Sequence, residues 1–304
     1  MPEAVIEING LGKNFGAVQA VRNLELTVYR GEMFSIVGPD GAGKTTTIRM
    51  LCGVMEPSAG QAKILGFDLR KDIEEIRKRI GYLSQRFSLY GDLTVDENIE
   101  FFAEINEVRD YLGRRNQLLE FTRLAPFRKR LAEKLSGGMK QKLALACTLI
   151  HTPEIIFLDE PTTGVDPVSR RDFWKILSDL LKSNITIVMT TPYLDEAERC
   201  SRVGLMNQGA FMTVNTPQKV KAMMPGKVIE IVCDQIRKAM SVLKQAPGAG
   251  EIQVFGDRLN LAVEQDINLE ELKSLLEQNL IRVLDMRVIP ASLENVFISM
   301  LKSA

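Results

Sequence analysis

The pattern of apolar and polar positions changes several times along the chain. Short apolar runs separated by glycines fill the first sixty-five residues and predict a β-rich segment. From residue 94 to about 150 a helical period dominates, and Thr94 with Glu97 forms a capping-box pattern at its start. After Pro153, strand-like runs alternate with helical runs as far as Met206. Such alternation predicts a parallel sheet.

One helix is also predicted before residue 94. Ile73, Ile76 and Ile80 recur at helical spacing after Asp72, and Gly81 stands where a helix would end. The pattern therefore predicts a helix that begins near Asp72 and ends at Gly81.

A domain boundary is predicted at Pro225-Gly226, because the residues after it form a series with its own periodicities. Strand-like and helical runs follow in the order βαββαβα, which is typical of a small α+β sandwich of the ferredoxin-like kind. We therefore expect an α/β domain over residues 1–222, with a helical subdomain at about 86–150. A small accessory α+β domain is expected over residues 226–304.

Composition limits the function classes. The 304 residues are 45% hydrophobic, and 39 basic residues balance 39 acidic ones, so no bulk charge favours nucleic acid or an anionic membrane surface. No apolar run approaches the roughly 18 to 20 residues that cross a bilayer, and the start lacks a signal-peptide pattern. We therefore expect a cytoplasmic chain and no nucleic-acid partner. The four widely spaced cysteines favour buried thiols over a zinc site or disulfides.

A glycine-rich segment stands between the apolar run Met33 to Val37 and a helical run that reaches Met50. It matches the phosphate-loop pattern GxxxxGK[ST] in the strand-loop-helix position that this pattern requires. Glycines let successive backbone N–H groups turn towards phosphate oxygens, and the helix start adds positive potential. Lys44 is expected to reach the β- and γ-phosphates of ATP, and Thr45 to bind Mg²⁺. The predicted nucleotide-binding residues of this loop are Gly38, Pro39, Asp40, Gly41, Ala42, Gly43, Lys44, Thr45 and Thr46.

An apolar run, Ile155 to Leu158, ends in two carboxylates, Asp159 and Glu160. The carboxyl ends of parallel strands meet at one sheet edge, so both acids are expected beside the phosphate loop. Asp159 is then placed to support Mg²⁺, while Glu160 can orient and polarise the attacking water. Either acid alone could simply cap the next helix, but the segment from Pro161 to Pro167 makes that explanation incomplete.

The segment Leu135-Ser136-Gly137-Gly138 precedes Gln141 and a helical run. LSGG with a trailing glutamine is the signature of ABC ATPases, and the chain resembles that family over residues 1 to about 220. Ser136 can cap the helix, leaving free N–H groups and positive potential for an anion. The resemblance implies that this anion is the γ-phosphate of ATP on the opposite subunit, so that two chains would enclose two nucleotides. It also implies a RecA-like parallel sheet core, a β-rich N-terminal subdomain and a helical signature subdomain.

Three further residues match the ABC pattern. Gln85 is similar to the glutamine that senses magnesium and couples the site to the membrane partner, which would make it both a catalytic residue and a metal ligand. Phe15 stands where the family places an aromatic ring against adenine, although a core phenylalanine is the alternative. Asp166 resembles the aspartate of the loop that crosses the dimer, and capping the helix after Pro167 is compatible with that role.

The ABC pattern breaks at one position. The family has a histidine there that contacts the γ-phosphate, whereas this chain has Pro192, which offers no side-chain hydrogen bond and no N–H. The single histidine, His151, is interpreted as an ordinary surface residue. Either Glu160 suffices for turnover, or the working complex contains a second ATPase whose complete site does most of the hydrolysis. Retained activity is the favoured expectation.

Several segments resemble the drug-resistance and sodium-export branch of the family, and within it the YbhF-like multidrug ATPases. The resemblance implies ATP-dependent dimerisation beneath a separate membrane permease, with the chain peripheral at the cytoplasmic face of the inner membrane. Some relatives fuse two ATPase halves, whereas we expect one here, acting as a homodimer or with a second ABC ATPase. Phe87 to Thr94, next to Gln85, is the predicted permease contact. The parts of the chain that carry this resemblance to the export branch are Asp40, residues 143–149, 169–174 and 193–200, and the ending at 291–298.

Two other functions compete with that of a multidrug or ion exporter subunit. Soluble ABC ATPases of ribosomes join two ATPase halves by a charged linker, and those of DNA repair insert a long coiled coil. Neither feature is expected in this sequence. A weakly hydrolytic regulatory partner in a heterodimer is supported only by Pro192 and opposed by Lys44, Asp159 and Glu160.

Overall fold

The computed structural model describes residues 2–86, 89–245, 249–263 and 268–303. The chain divides into two compact units, Met1–Asn215 and Thr216–Ala304. The strands of the first unit are β1 (Ala4–Phe15), β2 (Val18–Tyr29), β3 (Met33–Val37), β4 (Ala59–Ile64), β5 (Phe67–Asp68), β6 (Ile80–Leu83), β7 (Ile155–Asp159), β8 (Thr186–Thr191), β9 (Arg202–Asn207) and β10 (Ala210–Asn215). Its helices are α1 (Lys44–Leu51), α2 (Ile73–Arg77), α3 (Val95–Ile105), α4 (Tyr111–Phe121), α5 (Gly137–Leu149), α6 (Pro167–Lys182) and α7 (Leu194–Ala197).

Six strands form the central sheet of the first unit, in the order β10-β9-β3-β8-β7-β6. β3 pairs in parallel with β8 and β9, and β7 pairs in parallel with β8 and β6. Every residue of β3, β7 and β8 is buried, as expected when both faces of a parallel sheet are covered. The predicted parallel core is therefore confirmed, and it brings the carboxyl ends of β3, β7 and β8 side by side.

A second sheet of the first unit contains strands from the N-terminal segment, in the order β2-β1-β4-β5, with antiparallel pairing. Its inward side chains, such as Ile6, Ile8 and Val28, are buried. The predicted β-rich N-terminal segment is confirmed.

The helix predicted from Asp72 to Gly81 is wrong at its end. α2 stops at Arg77, and Ile80 and Gly81 belong to β6, which pairs with β7. Tertiary pairing overrides the helical spacing of the isoleucines at this point. Gly81 does not end a helix; a Cβ there would lie 2.6 Å from Cγ2 of Thr148, so glycine allows α5 to approach the strand.

The helical region between β6 and β7 begins at the predicted residue. Thr94 caps α3, its hydroxyl accepts the N–H of Glu97, and the Glu97 carboxylate accepts the N–H of Thr94. The capping box read from the sequence is therefore confirmed. α4, two short 3₁₀ turns at Ala125–Phe127 and Ala132–Lys134, and α5 follow.

The second unit contains the predicted order of elements, preceded by one short helix that the sequence pattern did not indicate. Its sheet has the order β12-β13-β11-β14 with antiparallel pairs, as in ferredoxin-like folds. Its core is formed by Ile229, Ile231, Leu259, Leu261 and residues of two covering helices. The elements are α8 (Pro217–Lys221), β11 (Lys227–Cys233), α9 (Ile236–Leu243), β12 (Ala249–Phe255), β13 (Arg258–Val263), α10 (Leu269–Gln278), β14 (Val283–Ile289) and α11 (Leu293–Ser303).

The four cysteines are free and buried. Among the helices of the described ranges, none combines the length and the apolar character needed to span a membrane.

Candidate nucleotide-binding site

The phosphate-loop segment connects β3 to α1. Gly43 has φ 103°, a left-handed conformation, and a Cβ there would lie 2.6 Å from the carbonyl oxygen of Ala20. A Cβ at Gly38 would overlap the carbonyl oxygen of Met206. The two glycines are required by close backbone approach, and they let the loop wrap tightly before the helix begins at Lys44.

Lys44 is 4% exposed, and its ammonium group is held inside the loop. Its Nζ donates to the carbonyl oxygens of Gly38 at 2.8 Å and Pro39 at 3.0 Å. The same atom lies 3.3 Å from Oε1 of Glu160. A buried cation is therefore directed at the loop interior and paired with the carboxylate predicted to activate water.

Asp159 ends β7 and is fully buried. Its Oδ1 accepts hydrogen bonds from the hydroxyls of Thr45 at 2.9 Å and Thr190 at 2.7 Å. Its Oδ2 is buried, and within the described part of the chain it has no hydrogen-bond partner. A buried carboxylate oxygen without a donor, beside a threonine hydroxyl whose proton is already donated, fits a hard cation such as Mg²⁺. Thr45 and Asp159 would hold that ion, and its charge would offset the charge of the phosphates.

Glu160 follows β7 in a left-handed conformation, with φ 48°. Its Oε2 accepts hydrogen bonds from Nε2 of Gln85 at 2.9 Å and from the hydroxyl of Thr163 at 3.4 Å. Together with the Lys44 contact, these bonds fix both oxygens of a carboxylate that is 8% exposed. The sheet has thus brought the glutamine after β6, the acid after β7 and the lysine of α1 to one point.

A cavity of about 750 Å³ opens beside these groups. Gly38, Pro39 and Asp159, which were predicted as site residues, do not line it. Neither Phe15 nor the signature residues line it. Ala20, Thr163 and Tyr193 do, although the sequence reasoning gave them no role. The lining residues are Ala20, Asp40, Gly41, Ala42, Gly43, Lys44, Thr45, Thr46, Gln85, Glu160, Thr163, Pro192 and Tyr193.

Phe15 stands at the end of β1, opposite Val18 in the hairpin, and is 48% exposed. Its ring faces the ammonium of Lys13, 5.4 Å from the ring centroid. The alternative of a core phenylalanine is therefore wrong, and the ring is exposed to solvent.

The signature segment and Asp166 meet at the starts of two helices. Ser136 caps α5 and accepts the N–H of Met139 at 3.3 Å. Asp166 caps α6, and hydrogen bonds from the side chain and backbone of Ser169 lower the pKa of its carboxyl. Gly138 packs against Ser169, and a Cβ added there would overlap the serine side chain. These residues form a second, separate surface, because Ser136 and Asp166 do not line the cavity.

Comparison with known proteins decides the family. The ABC transporter family model matches residues 21–163, which contain the phosphate loop, the signature and the acidic strand. The "Probable multidrug ABC transporter ATP-binding protein YbhF" of Escherichia coli K12 is 40% identical over 279 residues, 90% of this chain and 48% of that protein. The daunorubicin resistance ATP-binding protein DrrA3 of Streptomyces coeruleorubidus is 32% identical over 98% of this chain and 96% of that protein. The chain belongs to the ABC transporter ATP-binding proteins.

The ABC fold is also evident among solved structures. The cassette MJ0796, described as a dimer in a post-hydrolysis state bound to ADP and Pi, is 26% identical. It matches with a TM-score of 0.64 over 69% of this chain and 98% of its own. The resemblance to the YbhF-like export branch and the predicted fold class are thus confirmed. The chain spans about half the length of YbhF, 48%.

The departure from the ABC pattern is visible in the structure. Pro192, at the position where the resemblance implied a histidine, lines the cavity. The residues around it are tied to a buried acid, because Glu196 accepts hydrogen bonds from the hydroxyls of Thr191 at 2.9 Å and Thr162 at 2.7 Å. His151 does not replace the missing group. It is half-buried, with Nε2 2.9 Å from the carbonyl oxygen of Ile80 at the start of β6, so the prediction of an ordinary surface residue was wrong.

Proposed function

We propose that this chain is the ATP-binding and ATP-hydrolysing subunit of an ABC exporter, driving a separate permease that moves a drug or an ion. ATP is the nucleotide and Mg²⁺ the metal. The chain would lie at the cytoplasmic face of the membrane as a peripheral protein, without nucleic acid as a partner. YbhF and DrrA3 support this proposal, because their names describe multidrug transport and daunorubicin resistance.

The arrangement around Glu160 carries the proposal. Its carboxylate lies 3.3 Å from Nζ of Lys44 and 2.9 Å from Nε2 of Gln85, at the wall of a cavity large enough for a nucleotide. A carboxylate fixed in this way can accept a proton from a water molecule that attacks a phosphoryl group. Lys44 and the N–H groups of the loop would stabilise the negative charge of the transferred phosphoryl group.

The catalytic unit is proposed to be a dimer. Ser136, Gly137 and Gly138 do not line the cavity, although they form a helix start suited to bind an anion. In a head-to-tail dimer each signature would reach the nucleotide bound to the other chain, with Asp166 near the crossing point. The dimeric MJ0796 cassette supports this arrangement. A homodimer and a heterodimer with a second ABC ATPase both satisfy it.

The permease contact is proposed on the segment that precedes α3. Phe87 and Ser88 lie outside the described residues. Tyr90 is 45% exposed, and its ring packs edge-on against that of Phe101, with 4.4 Å between the ring centroids. Asn98 is fully buried and holds the segment by donating to the carbonyl oxygens of Tyr90 and Thr94. Tyr90 thus presents an exposed aromatic side chain that Asn98 holds in place, and it follows Gln85 closely in the sequence, so it is suited to contact a coupling helix of the permease.

Hydrolysis is tested with Glu160→Gln, which keeps the shape of the side chain but removes its basicity. We expect the steady-state ATPase rate to fall at least about a hundredfold, while ATP still binds. Glu154→Gln is the matched control, because Glu154 precedes β7 at its opposite end and pairs with Arg30. An equal loss in both variants, or a Glu160→Gln variant with unchanged turnover, would contradict the proposed role.

Partners are tested by purifying tagged Glu160→Gln chain with ATP from detergent-solubilised membranes of its own host. A multi-span permease recovered with this chain as the sole ATPase supports an exporter homodimer and shows that Pro192 is tolerated in both sites. A second ATPase in the complex supports unequal sites. Recovery of ribosomal or DNA-repair components without a permease would overturn the exporter proposal.

A further inference from the structure

Thr190 is a buried hydroxyl that contacts both acidic residues of the site. It stands on β8 and is fully buried. Its Oγ1 donates to Oδ1 of Asp159 at 2.7 Å and accepts the backbone N–H of Glu160 at 2.9 Å. One side chain therefore touches the carboxylate of the first acid and the backbone of the second.

The bond to Asp159 decides which carboxylate oxygen stays available. Oδ1 accepts two hydroxyl protons, from Thr190 and Thr45, whereas Oδ2 has no partner among the described residues. A carboxylate is planar, so two donors on Oδ1 limit the rotation of the group and fix the position of Oδ2. Hydrogen bonds of this kind orient a metal-binding carboxylate before the ion arrives.

The bond to Glu160 supports an uncommon backbone conformation. Glu160 has φ 48°, which is unfavourable for a residue with a side chain. The backbone N–H of Glu160 donates to two oxygens of Thr190, the hydroxyl at 2.9 Å and the backbone carbonyl at 3.2 Å. The left-handed turn is what allows the Glu160 carboxylate to reach Lys44 and Gln85 instead of continuing along the strand.

We propose that Thr190 is a positioning residue, which orients Asp159 for Mg²⁺ and holds Glu160 in the conformation that faces the phosphate loop. The proposal rests on the proposed ATPase function. Pro192, two residues further on, lines the cavity without a side-chain donor, whereas the Thr190 hydroxyl is bonded to both acids.

The test measures metal binding without hydrolysis. Mn²⁺ is titrated into the full chain with the non-hydrolysable analogue AMP-PNP, and the free ion is followed by electron paramagnetic resonance. Thr190→Val removes the hydroxyl at nearly constant volume, and Thr190→Ser keeps it. Thr186→Val is the matched control, because Thr186 is equally buried on β8 and its hydroxyl bonds to the N–H of Gly31 instead.

We expect Thr190→Val to weaken Mn²⁺ binding about tenfold to a hundredfold, as loss of a hydrogen bond to a metal ligand does, with Thr190→Ser and Thr186→Val close to wild type. Equal affinity in Thr190→Val and wild type overturns the inference, as does an equal loss in the serine variant, which would assign the effect to packing. Wild-type chain that binds the Mn²⁺ complex but does not hydrolyse ATP overturns the proposed function alone. Wild-type chain that binds no Mn²⁺ with the analogue overturns both.

Discussion

The contact between the signature segment and α6 predicts opposite effects at two neighbouring glycines. A Cβ added at Gly138 would lie under 3.0 Å from both Oγ and Cβ of Ser169, whereas a Cβ at Gly137 meets nothing within 4 Å. Neither glycine has a positive φ, so alanine is conformationally allowed at both positions. The substitutions Gly137→Ala and Gly138→Ala therefore differ in sterics and not in backbone strain.

Two contributions set the expected difference in the free energy of unfolding between the two variants. Alanine stabilises a helix relative to glycine by up to about 1 kcal/mol, and this term applies to both variants. Overpacking a buried contact costs about 1 to 3 kcal/mol, and this term applies only to Gly138→Ala. We expect the free energy of unfolding of Gly138→Ala to be about 1 to 3 kcal/mol below that of Gly137→Ala.

Urea unfolding followed by tryptophan fluorescence measures this difference. Trp174 is the single tryptophan, stands on α6 with Ser169, and is 6% exposed, so its emission reports the first unit. A double-mutant cycle with Ser169→Gly, which removes both overlapping atoms, should recover about 1 to 3 kcal/mol as coupling energy.

Two results would contradict this prediction. Equal stability of the two alanine variants would show that the helix starts are not in contact. If the double-mutant cycle gives no coupling energy, the loss of stability in Gly138→Ala does not come from overlap with Ser169.

Three further predictions use the same unfolding measurement. Thr94→Ala removes the cap of α3 and should cost about 1 kcal/mol, whereas Thr94→Ser should be close to wild type. Gly81→Ala should cost about 1 to 3 kcal/mol because of the overlap with Thr148, and Thr148→Ser, which removes Cγ2, should recover part of it; no recovery would place the cost elsewhere. Burial lowers the pKa of His151 below its usual 6.5, so the unfolded chain binds the proton more strongly. The free energy of unfolding should therefore fall as the pH drops below 6.5, and a His151→Gln variant with an undiminished pH slope would contradict this assignment.

Function and core architecture were predicted from short-range information. The phosphate loop, the acidic strand and the signature are contiguous motifs, and each carries its mechanism in residue type and spacing. The capping box at Thr94 was predicted for the same reason, since it involves residues three apart. The α+β character of the accessory domain was predicted from its alternating strand and helix periodicities. The order of its strands in the sheet could not be predicted in this way, because it depends on which strands pair in the fold.

The wrong predictions concern residues whose contacts in the fold are with residues distant in sequence. Ile80 and Gly81 look helical locally, but pairing with β7 makes them part of a strand. His151 looks like a surface residue, but it bonds to the carbonyl oxygen of Ile80, 71 positions away. Local spacing contains no information about such pairings.

The chemistry of the site could be predicted from residue type and spacing, because an ATP site of this type is encoded in glycines, one lysine and two acids in short motifs. Tertiary structure alone decided how those groups are held. The pairing of β7 with β8 placed the Thr190 hydroxyl between Asp159 and Glu160, and the end of β6 brought Gln85 to the carboxylate. These contacts join residues 30 to 75 positions apart, and they exist only because parallel strands bring their carboxyl ends to one edge.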